Sequence, residues 1–217
     1  MTLPIYAVYG VSGCGRGVMP LAREQLRMQG VPDDRLVFID DNPNESNVNG
    51  HQVLTYPEFI EIKATEHHVA IAIANSSLRE KLASRCSNDG VLPWSISATN
   101  IVIMDSVKIG EGTILSPFVT LTSNIQIGQY FQANLYSYVE HDCVIGDFVT
   151  FAPAVKCNGY IIIEDHVYIG AGAVIKQGAP ENPLVIGVGA VIGMGAVVTK
   201  SVAPGDKVAG NPAKKLS

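Results

Sequence analysis

The amino-acid sequence predicts an α/β + β protein, with a small parallel α/β domain over residues 1–95 and a parallel β-helix over residues 96–217. Three observations carry this: a strict six-residue repeat of apolar side chains in the second half, glycines interleaved with that repeat, and apolar strands alternating with helical stretches in the first.

A fixed internal period dictates architecture, so the repeat comes first. Every sixth residue from Ile109 is apolar: Ile109, Leu115, Leu121, Ile127, Ala133, Val139, Ile145, Phe151, Cys157, Ile163, Ile169 and Ile175. The series resumes one residue out of phase at Ile186, Ile192 and Val198, after an insertion-like stretch at 178–183. A second stripe of mostly small or β-branched residues follows four residues behind, from Thr113 and Val119 to Val167 and Ala173. Glycine directly follows the aliphatic position at Gly110, Gly128, Gly146, Gly170, Gly187 and Gly193, which suggests a tight corner with unusual φ. Each hexad reads as one short strand and a corner, three hexads closing a triangular coil. Coils then stack about 4.8 Å apart through parallel ladders. One aliphatic side chain per hexad is expected to point inward, so stacking rather than any single coil supplies the core. An α-helix would need a 3.6-residue period, which this pattern lacks.

In the first half, Ile5-Tyr6-Ala7-Val8-Tyr9 reads as a strand, followed by Gly10-Val11-Ser12-Gly13-Cys14-Gly15 and a helix over about 17–29. Leu36-Val37-Phe38-Ile39 is a second strand ending in Asp40-Asp41, and a third over 68–74 leads through Asn75 into a helix over about 77–86. Strands alternating with helices predict a Rossmann-like parallel sheet. Backbone N–H groups of the glycine loop, at a helix N-terminus, favour phosphate. Acidic residues at the end of the second strand stand where such folds contact a ribose or a sugar. The GxxGxG spacing serves a close strand-to-helix turn equally well. The domain has no room for a second dinucleotide-binding half, so a mononucleotide or nucleotide-linked sugar is the expected ligand.

Composition limits the function classes. With 47% hydrophobic and 16% charged residues, the 217-residue chain is globular. A net charge of -5 argues against nucleic acid or an anionic membrane as partner. Cys14, Cys86, Cys143 and Cys157 form no CxxC pair and no metal-type spacing, which fits a reducing cytoplasm. Met1-Thr2-Leu3-Pro4 does not begin a basic-then-apolar leader, and no apolar run approaches the roughly 18 residues needed to span a bilayer, so a soluble protein is expected.

His141, between Glu140 and Asp142, is the candidate general base, since imidazole titrates near neutral pH and a flanking carboxylate can fix its tautomer. A surface histidine at a coil corner is the bland alternative. No metal is expected, because the repeat holds only His141 and His166. His51, His67 and His68 read as surface residues, and Trp94 as a packing residue at the junction.

The segments Ile169-Gly170-Ala171-Gly172-Ala173-Val174, Ile192-Gly193-Met194-Gly195-Ala196-Val197 and Ala209-Gly210-Asn211-Pro212-Ala213-Lys214 resemble the hexapeptide acyltransferase superfamily. That resemblance implies a left-handed β-helix, a homotrimer, and acyl-coenzyme A lying between neighbouring helices. With the α/β domain in front, the chain is similar to nucleotide-sugar acetyltransferases, in particular the UDP-4-amino-sugar N-acetyltransferases of the bacillosamine pathway. The likeness rests on Tyr138-Val139-Glu140-His141-Asp142-Cys143-Val144-Ile145-Gly146-Asp147-Phe148, on Phe38-Ile39-Asp40-Asp41, and on Ala72-Ile73-Ala74-Asn75 with Arg79.

It implies acetyl-coenzyme A-dependent acetylation of the 4-amino group of a UDP-linked 4-amino-4,6-dideoxy sugar. His141 would be the base, oriented by Asp142 first and Glu140 second, with the Gly159 amide polarising the oxyanion. Thr150, Gly159, Ala171, Gly187 and Gly189 would line the acetyl-coenzyme A channel. Ser12, Gly13, Cys14, Asp40, Asp41 and Ala74, with Asn75 and Arg79, would contact the sugar nucleotide. Three positions depart from the family pattern: Thr150 and Cys14 each replace a histidine, and Ala74 replaces a glycine. They leave the sugar and its nucleotide open. The alternatives are a GDP-perosamine-type N-acetyltransferase, a sialic-acid-type O-acetyltransferase, and a non-catalytic sugar-nucleotide-binding scaffold.

Overall fold

The computed structural model describes residues 3–216; Met1 and Thr2, read above for a leader, and Ser217 lie outside the described residues. The chain divides into two compact units, Met1–Ser97 and Ala98–Ser217.

In the first unit, β1 (Ile5–Tyr9) pairs in parallel with β2 (Leu36–Ile39) on one side and β5 (His67–Ile71) on the other. β3 (Asn47–Val48), β4 (His51–Leu54) and β6 (Leu92–Pro93) complete the order β3-β4-β2-β1-β5-β6. Three helices connect them: α1 (Gly13–Met28), α2 (Tyr56–Glu61) and α3 (Ser76–Asn88). Because the chain leaves β1 for β2 and later returns to β5, the loops after β1 and β5 flank a topological switch point, where open α/β sheets bind ligands.

Some expectations are corrected. α1 begins at Gly13, not near 17. The first-turn N–H groups need no intrahelical partner, so Gly13 and Gly15 do not delay the helix. β5 ends at Ile71, after which Ala72 still donates to the Tyr9 carbonyl at 2.9 Å before the chain turns away. Residues 41–66 hold β3, β4 and α2, the last opened by a capping box between Thr55 and Glu58 that was readable as Thr-x-x-Glu. His51 is buried, its Nδ1 3.4 Å from the Leu36 carbonyl and its ring edge-on to Phe38. Trp94 packs as expected, 4.9 Å from the Tyr6 ring.

The second unit is a triangular parallel β-helix of two- and three-residue strands paired with their equivalents in neighbouring coils, and it ends in one antiparallel pair between Lys207–Ala209 and Lys214–Lys215. One ladder runs Leu121, Val139, Cys157, Ile175, Val198. The insertion at 178–183 is absorbed outside the ladders, since Ile163 pairs with Ile186 and Ile169 with Ile192. Both apolar stripes are buried, not one per hexad: Val149, Val155, Ile161 and Val167 join Ile163, Ile169 and Ile175 in the core. The two stripes stand two residues apart across each strand, and residues two apart on a strand share a face. Ile109, in the first coil, is exposed.

The corners also differ from expectation. The glycines that follow the aliphatic position lack left-handed φ; that conformation falls two residues later, at Ser106, Phe118, Asn124, Tyr130, Tyr136, Asp142, Phe148, Ala154, Tyr160 and His166 among others. The glycines instead permit close stacking. A Cβ on Gly110 would stand 2.6 Å from the Gly128 carbonyl carbon, and one on Gly170 would stand 2.5 Å from the Met194 nitrogen.

Ile169 lies fully buried at the centre of this stack. Ile169→Ala is expected to cost about 2–5 kcal/mol, read as a lower denaturant midpoint. Lys156→Ala, on the outward face of a strand, is expected to stay within about 0.5 kcal/mol.

Candidate active site

The register Val139–Cys157–Ile175 stacks the corner at 140–142 against the corner at 158–160 of the next coil. Backbone bonds lock both: Asp142 N–H donates to the Ser123 carbonyl and Tyr160 N–H to the His141 carbonyl, each at 3.1 Å. Asp142 has φ +57°, and its carboxylate Oδ2 lies 2.8 Å from His141 Nδ1. Asn124, the equivalent corner residue one coil earlier, donates to Asp142 Oδ1 at 3.3 Å. Tyr160, the equivalent one coil later, sets its ring edge-on to the imidazole at 5.1 Å. The His141 hydrogen bond, joined by those from Asn124 and Tyr160, holds the Asp142 carboxyl below the usual carboxylate range.

The imidazole lies over the Gly159 Cα, where any Cβ would stand 2.6 Å from Cε1 and 2.7 Å from Nε2 of the ring. Only glycine fits there. The Gly159 carbonyl accepts from Gly178 N–H at 3.0 Å, while its own N–H meets no acceptor among the described residues. Asn158 fixes this turn: its Oδ1 accepts from the Tyr138 hydroxyl at 2.9 Å and its Nδ2 donates to the Ile175 carbonyl at 2.8 Å. With Asp142 ionised and accepting Nδ1–H, Nε2 keeps its lone pair for a proton. A base and a free amide donor therefore share one corner, the pair that acyl transfer to an amine requires.

Glu140 holds the Cys157 carbonyl through its N–H at 2.8 Å, and Asp142 is the carboxylate that meets the ring. Asn124, Asn158 and Tyr160 escaped the sequence reading, although 124, 142 and 160 recur at the same corner position. The remaining channel candidates stand away from this corner. Thr150 is buried in the strand between Gln132 and Tyr168. Ala171 is exposed and accepts from Gly195 N–H at 2.8 Å. Gly187 packs on Pro204, and Gly189 takes φ +66° with open space beside it.

In the first unit, a Cβ on Gly10 would lie 3.1 Å from the Ala72 carbonyl oxygen, and one on Gly15 would strike the Gly10 carbonyl, so these two glycines serve the tight turn. Gly13 has open space around it, and Ser12, the extended N-cap of α1, leaves its hydroxyl out of the capping. No acidic residue occupies the first turn of α1, so its N–H groups present an anion-favouring surface. Asp41 is rigidly held, with the Tyr9 hydroxyl 2.5 Å from Oδ2 and Arg85 3.1 Å from Oδ1. Arg85 in turn lies over the Tyr56 ring at 4.0 Å. Asp40 accepts from Asn42 N–H at 2.9 Å, and Asn75 caps α3 by accepting from Leu78 N–H at 2.9 Å.

Arg79, expected at the ligand surface, is instead fully buried, donating to the Ile73 carbonyl at 2.6 Å and the Ala74 carbonyl at 3.2 Å. It holds the loop after β5 from beneath, and exposed Ala74 is the residue it presents. Burial lowers the Arg79 pKa to about 10, with Cys14 opposing that shift. Burial likewise pushes the Cys14 thiol up, against the pull of Arg79. Among the described residues, no three His, Cys, Asp or Glu side chains gather as a metal site, and no helix is long and apolar enough to cross a membrane.

The family model for the PglD N-terminal domain matches residues 6–86. The chain is 48% identical over 212 residues to a GDP-perosamine N-acetyltransferase of Escherichia coli O157:H7, covering 98% of this chain and 96% of that one. Among solved structures it is similar to WeeI from Acinetobacter baumannii AYE, at 57% identity and TM-score 0.96 over 98% of this chain and 100% of that one. It is also similar to the acetyltransferase domain of PglB from Neisseria gonorrhoeae FA1090 in complex with acetyl coenzyme A, at 26% identity and TM-score 0.86 over the whole of both chains. The hand of the coil is that of these neighbours, a left-handed β-helix.

Gly159→Ala tests the corner directly. Its methyl is expected to push the imidazole off the turn by about 1 Å, within an otherwise unchanged fold. A crystal structure of the variant with the Nδ1–Oδ2 bond intact and the ring unmoved would refute this.

Proposed function

Because the chain belongs to the hexapeptide-repeat nucleotide-sugar N-acetyltransferases, we propose that it transfers the acetyl group of acetyl-coenzyme A to the 4-amino group of a nucleotide-linked 4-amino-4,6-dideoxy sugar. The observation that carries this is the His141–Asp142 pair laid over the Gly159 Cα, with a Gly159 N–H that meets no acceptor among the described residues. The sugar amine attacks the thioester carbonyl, and a C–N bond forms as the carbonyl oxygen becomes an oxyanion facing the Gly159 amide. His141 Nε2 accepts the amine proton, the C–S bond breaks, and the proton passes to the departing thiolate. No covalent enzyme intermediate is needed.

The first unit is proposed to hold the sugar nucleotide, with its diphosphate at Ser12, Gly13 and Cys14 and its nucleoside toward Asp40 and Asp41. Thr150, Ala171, Gly187 and Gly189 are proposed to line the coenzyme channel in a homotrimer. The four cysteines are free, which suits a cytoplasmic enzyme. A GDP-linked sugar of the perosamine type is the first reading, supported by the 48% identical relative. A UDP-linked sugar of the bacillosamine type is the second, favoured by the match of residues 6–86 to the PglD N-terminal domain.

A panel of GDP- and UDP-linked 4-amino sugars with acetyl-coenzyme A, followed by thiol release, is expected to give turnover with the GDP-linked substrate foremost. His141→Ala is expected to lower kcat by about 10²–10⁴-fold. Asp142→Asn, acting through the ring, should lower it by roughly 10–100-fold. Unchanged kcat in His141→Ala would remove this mechanism, and preference for UDP-linked sugars would select the second reading.

A further inference from the structure

The second inward stripe of the β-helix is valine at Val119, Val149, Val155 and Val167, but residue 143 in the same stripe is cysteine. Cys143 is fully buried. Its Sγ lies 3.2 Å from the Asn158 carbonyl oxygen and 3.6 Å from the His141 carbonyl oxygen, so the S–H donates chiefly to Asn158. Cys157, also fully buried, hydrogen-bonds the Cys143 sulfur and stands 3.9 Å from the same Asn158 oxygen. Among the described residues no backbone N–H donates to that carbonyl, and the thiols are its partners.

One hexad earlier the same bond is made with oxygen in place of sulfur. Ser137 Oγ donates to the Ala152 carbonyl at 3.1 Å, 15 residues ahead, and Cys143 reaches Asn158 across the same 15-residue step. Ser137 Oγ also accepts from Val155 N–H at 3.2 Å, and Ile161 N–H stands in the same relation to Cys143 Sγ. The coil therefore offers an inward carbonyl to whichever donor occupies this stripe. What the bonded peptide carries on its far side differs. After Ala152 comes Pro153, which has no N–H. After Asn158 comes Gly159, whose N–H meets no acceptor among the described residues and whose Cα lies beneath the His141 ring.

The Asn158–Gly159 peptide is trans, and in a planar trans peptide the C=O and N–H point opposite ways. With the Asn158 oxygen drawn into the core by a thiol, the Gly159 N–H is turned out of it. A donor on the oxygen also polarises the amide, so the hydrogen at the other end becomes a stronger donor. The Asn158 side chain, bonded to Tyr138 and to the Ile175 carbonyl, holds the turn from the side while the thiol sets the peptide plane from beneath. We propose that Cys143 is a positioning residue for acyl transfer, its thiol aiming and polarising the Gly159 N–H that faces the developing oxyanion. This rests on the acetyl-transfer reading above and extends the site one layer inward, to a core side chain that touches no substrate.

The test uses the full chain. Cys143→Val suits a stripe in which valine recurs but removes the donor, whereas Cys143→Ser keeps a donor, as Ser137 does, and buries a hydroxyl. Packing and donation therefore predict opposite orders. In thermal melting the serine variant should be the less stable of the two. In kcat the order should reverse, with Cys143→Val lower by about five- to tenfold and Cys143→Ser within about threefold of wild type. KM for both substrates should stay within about twofold, because the oxyanion exists only in the transition state. The pH dependence of kcat/KM should not move in Cys143→Val, since His141 and Asp142 are untouched. Magnetic resonance reads the amide without turnover. Labelling with carbonyl-¹³C asparagine and ¹⁵N glycine selects Asn-Gly pairs, of which the chain has two, Asn49-Gly50 and Asn158-Gly159. The Gly159 nitrogen should move upfield in Cys143→Val and return toward its wild-type position in Cys143→Ser, with Gly50 as the fixed reference. Undiminished kcat in Cys143→Val, or equal losses in the two variants, overturns the proposal, as does a shifted pH profile, which would place the effect at His141. If wild type acetylates no sugar in the panel, the acetyl-transfer reading fails and the resonance decides alone: a Gly159 signal unmoved by valine overturns the proposal, and one moved by valine and restored by serine sustains it.

Discussion

The C-terminal unit depends on the backbone ladder that ties each coil to the next. That ladder demands close, repeated approach of one coil's backbone to another's, and the side chains are arranged to permit it. Beside the inward stripe at several corners, bare Cα atoms let neighbouring turns touch. Two residues further on, a left-handed φ closes the bend, even where the residue is Phe118, Tyr136 or Phe148. Single residues outside glycine pay a conformational cost in that region, and the stacked core offsets it through two buried apolar positions per hexad. Aromatic corners recover part of it by stacking, as in the Tyr130, Phe148 and His166 column.

The candidate active corner is built from three successive coils. Asn124 comes from one, His141 and Asp142 from the next, Gly159 and Tyr160 from the third. None of these side chains depends on a mobile loop for its position, because each is anchored by the same ladder that holds the core. Preorganisation of this kind would hold the proposed base and amide donor in place without reorganisation during reaction. The first unit uses another device: the Tyr9, Asp41, Arg85 and Tyr56 cluster holds an exposed carboxylate in one orientation.

How much of this was legible in the sequence follows from which physical constraint each residue obeys. The six-residue rhythm survives in the residue types because burial demands apolar side chains, so the β-helix and its out-of-phase resumption at Ile186 could be read directly. Corner φ leaves no such mark, since Phe, Asn, Asp and Ala all occupy the left-handed position. The glycines directly after the inward stripe suggested a conformational role and serve a steric one. Residues 41–66 hid two short strands and a six-residue helix because strands this brief carry no periodicity. His141 and Asp142 were readable as neighbours in sequence, whereas Asn124 and Tyr160 meet them only through coil stacking. Arg79, named through the family likeness as a sugar-nucleotide contact, is fully buried beneath the loop after β5, a placement that residue type cannot carry.

The interruption at 178–183 has a consequence for how such a molecule can diversify. Ile163 and Ile186 pair across 23 residues where Ile145 and Ile163 pair across 18, yet the register on either side is kept. Chain length at this bend is thus uncoupled from the architecture below and above it. It is a natural splice point: a descendant could lengthen, shorten or recharge one turn beside the candidate active corner and so reshape its surroundings, while every rung of the scaffold stays where it was.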